Sequence, residues 1–292
     1  TLEALQRLAE RHRDEFNIPI VGITGSNGKT MVKEWLYQLL SPSMFVTRSP
    51  RSYNSQIGVP LSVWLMNEQT QVGVFEAGIS QPGEMLALRD IIQPTIAVLT
   101  NVGSAHQENF SSLEEKCREK LILFHDAETV VYDGDDELIT KVVAEYPDYK
   151  GEKLFWSLKN PEAPFYVKSI EKQQSVSVIT YIYKGEIDSF SIPFIDDASI
   201  QNSIISAVVA SKLGVSAEDI DKRMAKLEPV AMRLEVKVGQ HGCTLINDSY
   251  NSDINSLDIA LDFMNRRPDH RGRRHTLILS DIYQSGLSPE AL

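Results

Sequence analysis

Cysteine is almost missing: Cys117 and Cys243 are the two in 292 residues. Two thiols cannot build a disulfide framework, so stability has to come from an apolar core, and a reducing, cytoplasmic compartment is expected. Long hydrophobic runs are also missing. No stretch reaches membrane-spanning length, and the first residues lack the basic-then-apolar layout of a signal peptide, so no membrane insertion is expected. Positive charge is in deficit, with 29 Lys and Arg against 40 Asp and Glu and a formal net charge of −11. That balance argues against a nucleic-acid partner, because phosphate backbones are held by clustered Lys and Arg. Nucleotides stay open, since a nest of backbone N–H groups can hold a phosphate. Neither an internal repeat nor a low-complexity tract is present.

What remains is a chain with enough apolar residues, 42%, for a large core. It starts in an amphipathic pattern that sets Leu2, Leu5, Leu8, Ala9, His12 and Phe16 on one side of a helix over residues 1–16, read as a linker. Residues 18–25 form a buried strand ending in glycine, and a helix follows at Lys29–Leu40. Short apolar runs recur at 71–76, 95–102 and 129–133, separated by helical patterns near 82–92, 112–126 and 136–146. Strands alternating with helices predict an α/β fold with a mostly parallel sheet. After Lys150, segments 165–170, 175–183 and 187–195 alternate β-branched and aromatic residues with polar ones, which predicts an antiparallel subdomain. Helices resume at 199–213 and 217–227. A fresh strand–helix–strand at 243–247, 254–266 and 275–280 predicts the start of a second, Rossmann-like α/β domain. The expected division is a central domain over 17–232 and a truncated further domain over 233–292, a fragment of a longer protein. Trp35 and Trp64 read as core.

Chemistry enters at Gly22-Ile23-Thr24-Gly25-Ser26-Asn27-Gly28-Lys29-Thr30. Placed between a buried strand and a helix, this run predicts a phosphate loop over Thr24–Thr30. Its glycines let N–H groups turn inward, and the helix start adds positive potential. Lys29 reaches the β- and γ-phosphates and the Thr30 hydroxyl binds Mg2+. The usual spacing is broken in one respect, because Gly22 lies one residue too far from Gly28 and Ile23 takes the expected glycine position.

Three further residues fall where ligands bind in open α/β sheets. Glu76 ends a strand, His106 follows the next strand, and Lys120 lies on the helix after that. Taken singly, Glu76 reads as a solvated strand end, His106 as a structural histidine and Lys120 as a surface lysine. Their shared placement behind a phosphate loop favours a functional reading.

The spacing G-x-T-G-x-x-G-K-T resembles the ATP loop of the Mur ligases and of their relatives, the folylpolyglutamate synthases. Further runs are similar to one Mur branch: Thr30–Glu34, Asn54-Ser55-Gln56-Ile57-Gly58-Val59-Pro60, Glu76-Ala77-Gly78 with Pro82-Gly83-Glu84, Arg233-Leu234-Glu235, and Asp248-Ser249-Tyr250-Asn251. That branch adds D-Ala-D-Ala to a UDP-MurNAc-tripeptide. The local wording also resembles a subgroup of it fused to an alanine racemase. The resemblance implies ATP and Mg2+ as cofactors, with Glu76 and His106 on the metal and Lys120 carbamylated to help hold a second ion. It further implies substrate contacts at Asn54, Ser55 and Gln56, adenine recognition by Asn202, and nucleotide contacts from Arg233 and Asp248 when the second domain closes. One departure stands out: Asp196-Asp197-Ala198-Ser199 replaces the family's G-R-H-N.

The implied reaction is phosphoryl transfer from ATP to a peptide carboxylate, then attack of an amine on the acyl phosphate, with Lys29, His106 and Lys120 in the catalytic set and a monomer expected. Two other readings stay open, a folylpolyglutamate-synthase-like ligase and a P-loop nucleotide switch. The fragment is expected to bind ATP yet not to turn over alone.

Overall fold

The computed structural model describes residues 1–103, 107–146, 149–250, 254–266 and 274–279. The first half runs α1 (Leu2–Arg13), β1 (Ile20–Thr24), α2 (Lys29–Leu40), β2 (Val46–Arg48), α3 (Gly58–Val63), β3 (Val72–Glu76), α4 (Glu84–Ile92), β4 (Ile96–Leu99), α5 (Leu113–Leu121), β5 (Thr129–Val131), α6 (Glu137–Ala144) and β6 (Glu152–Lys153). These six strands form one parallel sheet in the order β2-β3-β1-β4-β5-β6. Every residue of β1 and β3 is buried, as expected for a sheet covered by helices on both faces. Along β1, Val21 and Ile23 enter the core beneath α2, while Ile20 packs on the opposite side with α4 and the turn after α5. Uniformly apolar strands follow from that double burial.

The sheet order reverses at β1. The chain passes from β1 through β2 to β3 on one side, then crosses to β4 on the other. Crevices open at such a reversal, outside the carboxyl ends of the strands, and here those ends are Thr24, Glu76 and Leu99.

The second half supplies β7 (Trp156–Ser157), β8 (Phe165–Lys172), β9 (Ser177–Tyr183), β10 (Glu186–Ile192), α7 (Asp197–Lys212), α8 (Ala217–Met224), β11 (Glu235–Val238), β12 (Thr244–Asn247) and α9 (Ile254–Arg266). Strands β8, β9 and β10 make the expected antiparallel patch. Phe165 stacks on Tyr181 at 4.5 Å between ring centroids, and this face joins α7 and α2 in one core. Asp196 starts α7, its Oδ1 accepting from the Ser199 N–H at 2.7 Å. The departure at residues 196–199 is therefore, locally, a helix N-cap.

Three expectations give way. Trp64 is 54% exposed, because it sits at the end of the six-residue α3, beyond the turn that buries Val63. Leu8 is 59% exposed and Arg13 is buried. Arg13 takes the protein-facing side by donating to the Ile92 and Gln93 carbonyls, both at 2.9 Å, which are free of helical partners at the end of α4. Residues 274–279 form no strand. Ile278 there is 88% exposed, and no described strand lies beside it to complete a ladder.

Candidate active site

The loop after β1 is shaped by two glycines. Gly25 has φ +144°, and a Cβ there would stand 1.9 Å from Thr100 Oγ1. Gly28 has φ +84°, caps α2, and leaves no room against Asn202 Oδ1, which a Cβ would meet at 2.4 Å. Both positions exclude side chains on conformation and on space. The loop is then tied to the residues that follow β4. Asn101 accepts from the Ser26 N–H through its carbonyl at 3.0 Å and from the Asn27 N–H through Oδ1 at 2.9 Å. Thr100 Oγ1 donates to the Asn27 carbonyl at 2.5 Å, and the Gly103 N–H donates to Ser26 Oγ at 2.8 Å. Thr100, Asn101 and Gly103 thus frame the loop. Sequence reasoning missed them, since a polar segment after a strand carries no distinguishing signal. The Ser26 and Asn27 N–H groups are thus both turned to Asn101. The donors left facing the crevice are those of the first turn of α2, which have no acceptor within the helix. Lys29 Nζ folds back onto the Gly25 and Ser26 carbonyls at 2.7 and 3.1 Å.

Beneath the loop lies a buried charged group. Glu76 is fully buried at the end of β3, so it is no solvated strand end. Thr30 Oγ1 donates to its Oε2 at 3.1 Å and also lies 3.1 Å from Ser52 Oγ. Lys33 Nζ is 3.0 Å from Glu76 Oε1, yet no donor is aligned on that oxygen. A buried carboxylate with the Thr30 hydroxyl on Oε2 and the Ser52 hydroxyl next to that one is a hard-oxygen set of the kind Mg2+ accepts. Among the described residues no group of three His, Cys, Asp or Glu could hold a metal. His106 lies outside the described residues.

Lys120 is buried, the opposite of what a lone helix lysine suggests. Its Nζ donates to the Gly25 carbonyl at 3.3 Å. Burial, together with the neighbouring Lys29 and Lys116 charges, holds this amine well below the ordinary lysine range, toward the uncharged form. Lys116, one turn earlier, is buried too and donates to the Gly103 carbonyl at 2.7 Å.

A cavity of about 470 Å³ opens over the loop, lined by residues 25–30, 54–57, 78–80, Lys120, Arg233 and Tyr250 among others. The expected substrate residues Asn54, Ser55 and Gln56 therefore face the same space as the loop. Gln56 is already engaged: its Nε2 donates to the Glu84 carbonyl at 2.9 Å, and Gln6 Nε2 donates to its Oε1 at 2.9 Å. Thr24, at the end of β1, is buried. Asn202 is buried against Gly28, its amide 3.7 Å from Met31 Sδ. The Arg233 guanidinium lies 4.2 Å over the Tyr250 ring, while Asp248 Oδ1 accepts from the Leu234 N–H at 3.1 Å.

The family model for the Mur ligase middle domain matches residues 23–210. The chain is 28% identical over 289 residues to the UDP-N-acetylmuramoyl-tripeptide–D-alanyl-D-alanine ligase of Bacillus subtilis (strain 168), covering 98% of this chain and 61% of that protein. Among solved structures it is similar to MurF from Acinetobacter baumannii, with TM-score 0.83 and 23% identity over 91% of this chain and 58% of that one. It is also similar to MurF ligase from Thermotoga maritima in complex with ADP, with TM-score 0.78 and 26% identity over 91% and 61%. The chain thus spans about six-tenths of the length of the proteins it matches.

Proposed function

The chain belongs to the Mur ligase family, and we propose that it forms the ATP-handling part of an ADP-forming ligase that joins D-Ala-D-Ala to UDP-MurNAc-tripeptide in peptidoglycan precursor synthesis. The observation that carries this reading is the single cavity shared by the phosphate loop, Lys120 and residues 54–57. A nucleotide switch needs a loop and an ordered anion, but has no use for a buried amine and a second polar wall facing the same phosphate. The relatives that match nearly the whole chain bear the murein ligase name. We assign residues 17–232 to the central domain and 233–292 to the beginning of a further one, with the protein a monomer in the cytoplasm.

The chemistry follows from charge. Phosphoryl transfer to a carboxylate brings two anions together, so the site must supply positive potential where charge accumulates. The start of α2 and Lys29 supply it at the phosphates. Lys29 currently lies on the Gly25 and Ser26 carbonyls, and a triphosphate would draw it off these weaker neutral acceptors. Glu76 and the Thr30 hydroxyl would hold Mg2+, with His106 as the further expected ligand, and an ion held there would supply positive charge to the phosphate oxygens. Lys120, kept toward the neutral amine, can attack carbon dioxide through Nζ and lose a proton. The product would be a carbamate, an anion suited to a second metal in place of a neutral amine. Residues 54–56 orient the peptide carboxylate in line, and Arg233 and Asp248 reach the nucleotide as the later segment closes.

Phosphate release by the full-length protein tests the proposal. It should require both UDP-MurNAc-tripeptide and D-Ala-D-Ala and be absent with folate plus glutamate; release without any acceptor would favour the switch. Replacing Lys120 by Ala should remove turnover, and short carboxylates should restore part of it. Normal activity of that variant would end the carbamate assignment.

A further inference from the structure

Glu76 has a second neighbour that the ligase reading does not use. Lys33 is fully buried, one turn after Lys29 on α2, and its Nζ sits 3.0 Å from Glu76 Oε1 and 3.0 Å from Glu34 Oε1. It also donates to the Arg51 carbonyl. Glu34 is held in turn by Arg48, whose Nε and Nη2 both lie 3.1 Å from Oε2. The Arg48 guanidinium stacks 3.5 Å above the Tyr37 ring. Charges therefore alternate inward as Arg48, Glu34, Lys33, Glu76, from a partly exposed edge to the floor of the phosphate loop.

We propose that Lys33 is a positioning residue and internal counter-cation that holds the Glu76 carboxylate in place when no divalent ion is bound. The inference rests on the ligase reading for the ion's identity, but the argument is one of charge. A carboxylate buried without a compensating cation is strongly destabilising. Thr30 compensates only one of its oxygens, and weakly, through a neutral hydroxyl. Lys33 supplies the missing charge 3.0 Å from Oε1, an oxygen on which no hydrogen bond is formed, and of its two lone pairs the ammonium can occupy only one. A cation approaching from the loop side meets an oriented carboxylate and does not have to assemble one. Lys33 also opposes the ion electrostatically, which keeps binding of the bare ion weak and makes it depend on the negative charge of the nucleotide.

Thermal unfolding of the wild type, Lys33→Met, Glu76→Gln and the double variant, in EDTA and across a Mg2+ titration without nucleotide, tests this. Lys33→Met should unfold at a clearly lower temperature in EDTA and bind Mg2+ alone at least about tenfold more tightly than wild type, as expected when a positive charge is removed beside the ligand. Adding Glu76→Gln should restore the EDTA midpoint and abolish the Mg2+ response. Equal Mg2+ responses in wild type and Lys33→Met would overturn the proposal, as would a loss of midpoint that persists undiminished in the Glu76→Gln background. Should Lys33→Met fail to fold, folding of the double variant supports the proposal and its failure overturns it. Calorimetry of ATP with Mg2+ on the wild type separates the two levels: no binding there counts against the ligase reading, while the charge coupling is read in EDTA regardless.

Discussion

The loop region at 20–33 and the segment at 233–250 border the same cavity but are built in opposite ways. The first is the carboxyl end of a parallel sheet whose β1 and β3 residues are all buried, with the loop tied to residues 100–103 by hydrogen bonds of 2.5 to 3.0 Å. The second is a two-stranded hairpin, β11 with β12. Its Val238 is 86% exposed, and Met232, Leu234 and His241 adopt positive φ. An isolated hairpin has little buried area to hold it. The loop end of the cavity is thus preorganised, whereas the Arg233 end adjoins a two-stranded hairpin with little buried area and is expected to reposition at smaller cost.

That contrast can be challenged by substitution. The largest effect should come from Lys29→Ala, which removes a charged phosphate contact. Calorimetry should show ATP affinity falling by about 100-fold, the equivalent of about 2.7 kcal/mol; retained affinity would remove the loop assignment. Next is Gly28→Ala, strained by its φ of +84° and crowded against Asn202. Denaturant unfolding should show a loss of about 2 kcal/mol. Thr100→Val deletes the hydroxyl that donates to the Asn27 carbonyl and should cost about 1 kcal/mol of stability, with weaker nucleotide binding. Arg233→Ala on the hairpin should leave the unfolding midpoint of the chain unchanged and weaken nucleotide binding only in the full-length protein. A large loss of stability there would show the hairpin to be as fixed as the loop.

Thiol reactivity draws the same line without altering the fold. Burial pushes the Cys117 thiol from 9.0 up to about 12, while Cys243 on the hairpin side is exposed. A raised thiol pKa leaves Cys117 protonated in the folded chain at pH values where an unfolded cysteine is already ionised. Its contribution to stability is therefore complete below pH 9.0 and is lost as pH rises toward about 12. At mildly alkaline pH a disulfide reagent should titrate one thiol in the native chain and two after denaturation. Two fast thiols in the native state would contradict the buried placement.

Much of the molecule was legible before folding. The helix at Lys29–Leu40 has the bounds read from its pattern, and the three antiparallel segments fall within a few residues of their expected positions. Periodicity reports which faces are apolar, and double burial of a parallel sheet produces unbroken apolar strands. Less was legible where residues act through partners distant in sequence. Asn101 matters because β4 lies beside β1, Lys33 because β3 brings Glu76 under α2, and Arg13 because its helix crosses the end of α4. Trp64 failed for the converse reason: its apolarity says nothing about whether the helix before it runs on far enough to bury it.

Local sequence, then, settled most of the elements and the glycine turn, because each depends on residues within a few positions of one another. Packing settled everything that depends on proximity across the sheet. It buried Lys120 and lowered its affinity for a proton, closed Glu76 off from water against Lys33, and turned two loop N–H groups toward Asn101. Charge and burial are properties of a residue's surroundings, and those surroundings come from strands and helices tens of residues away in the chain.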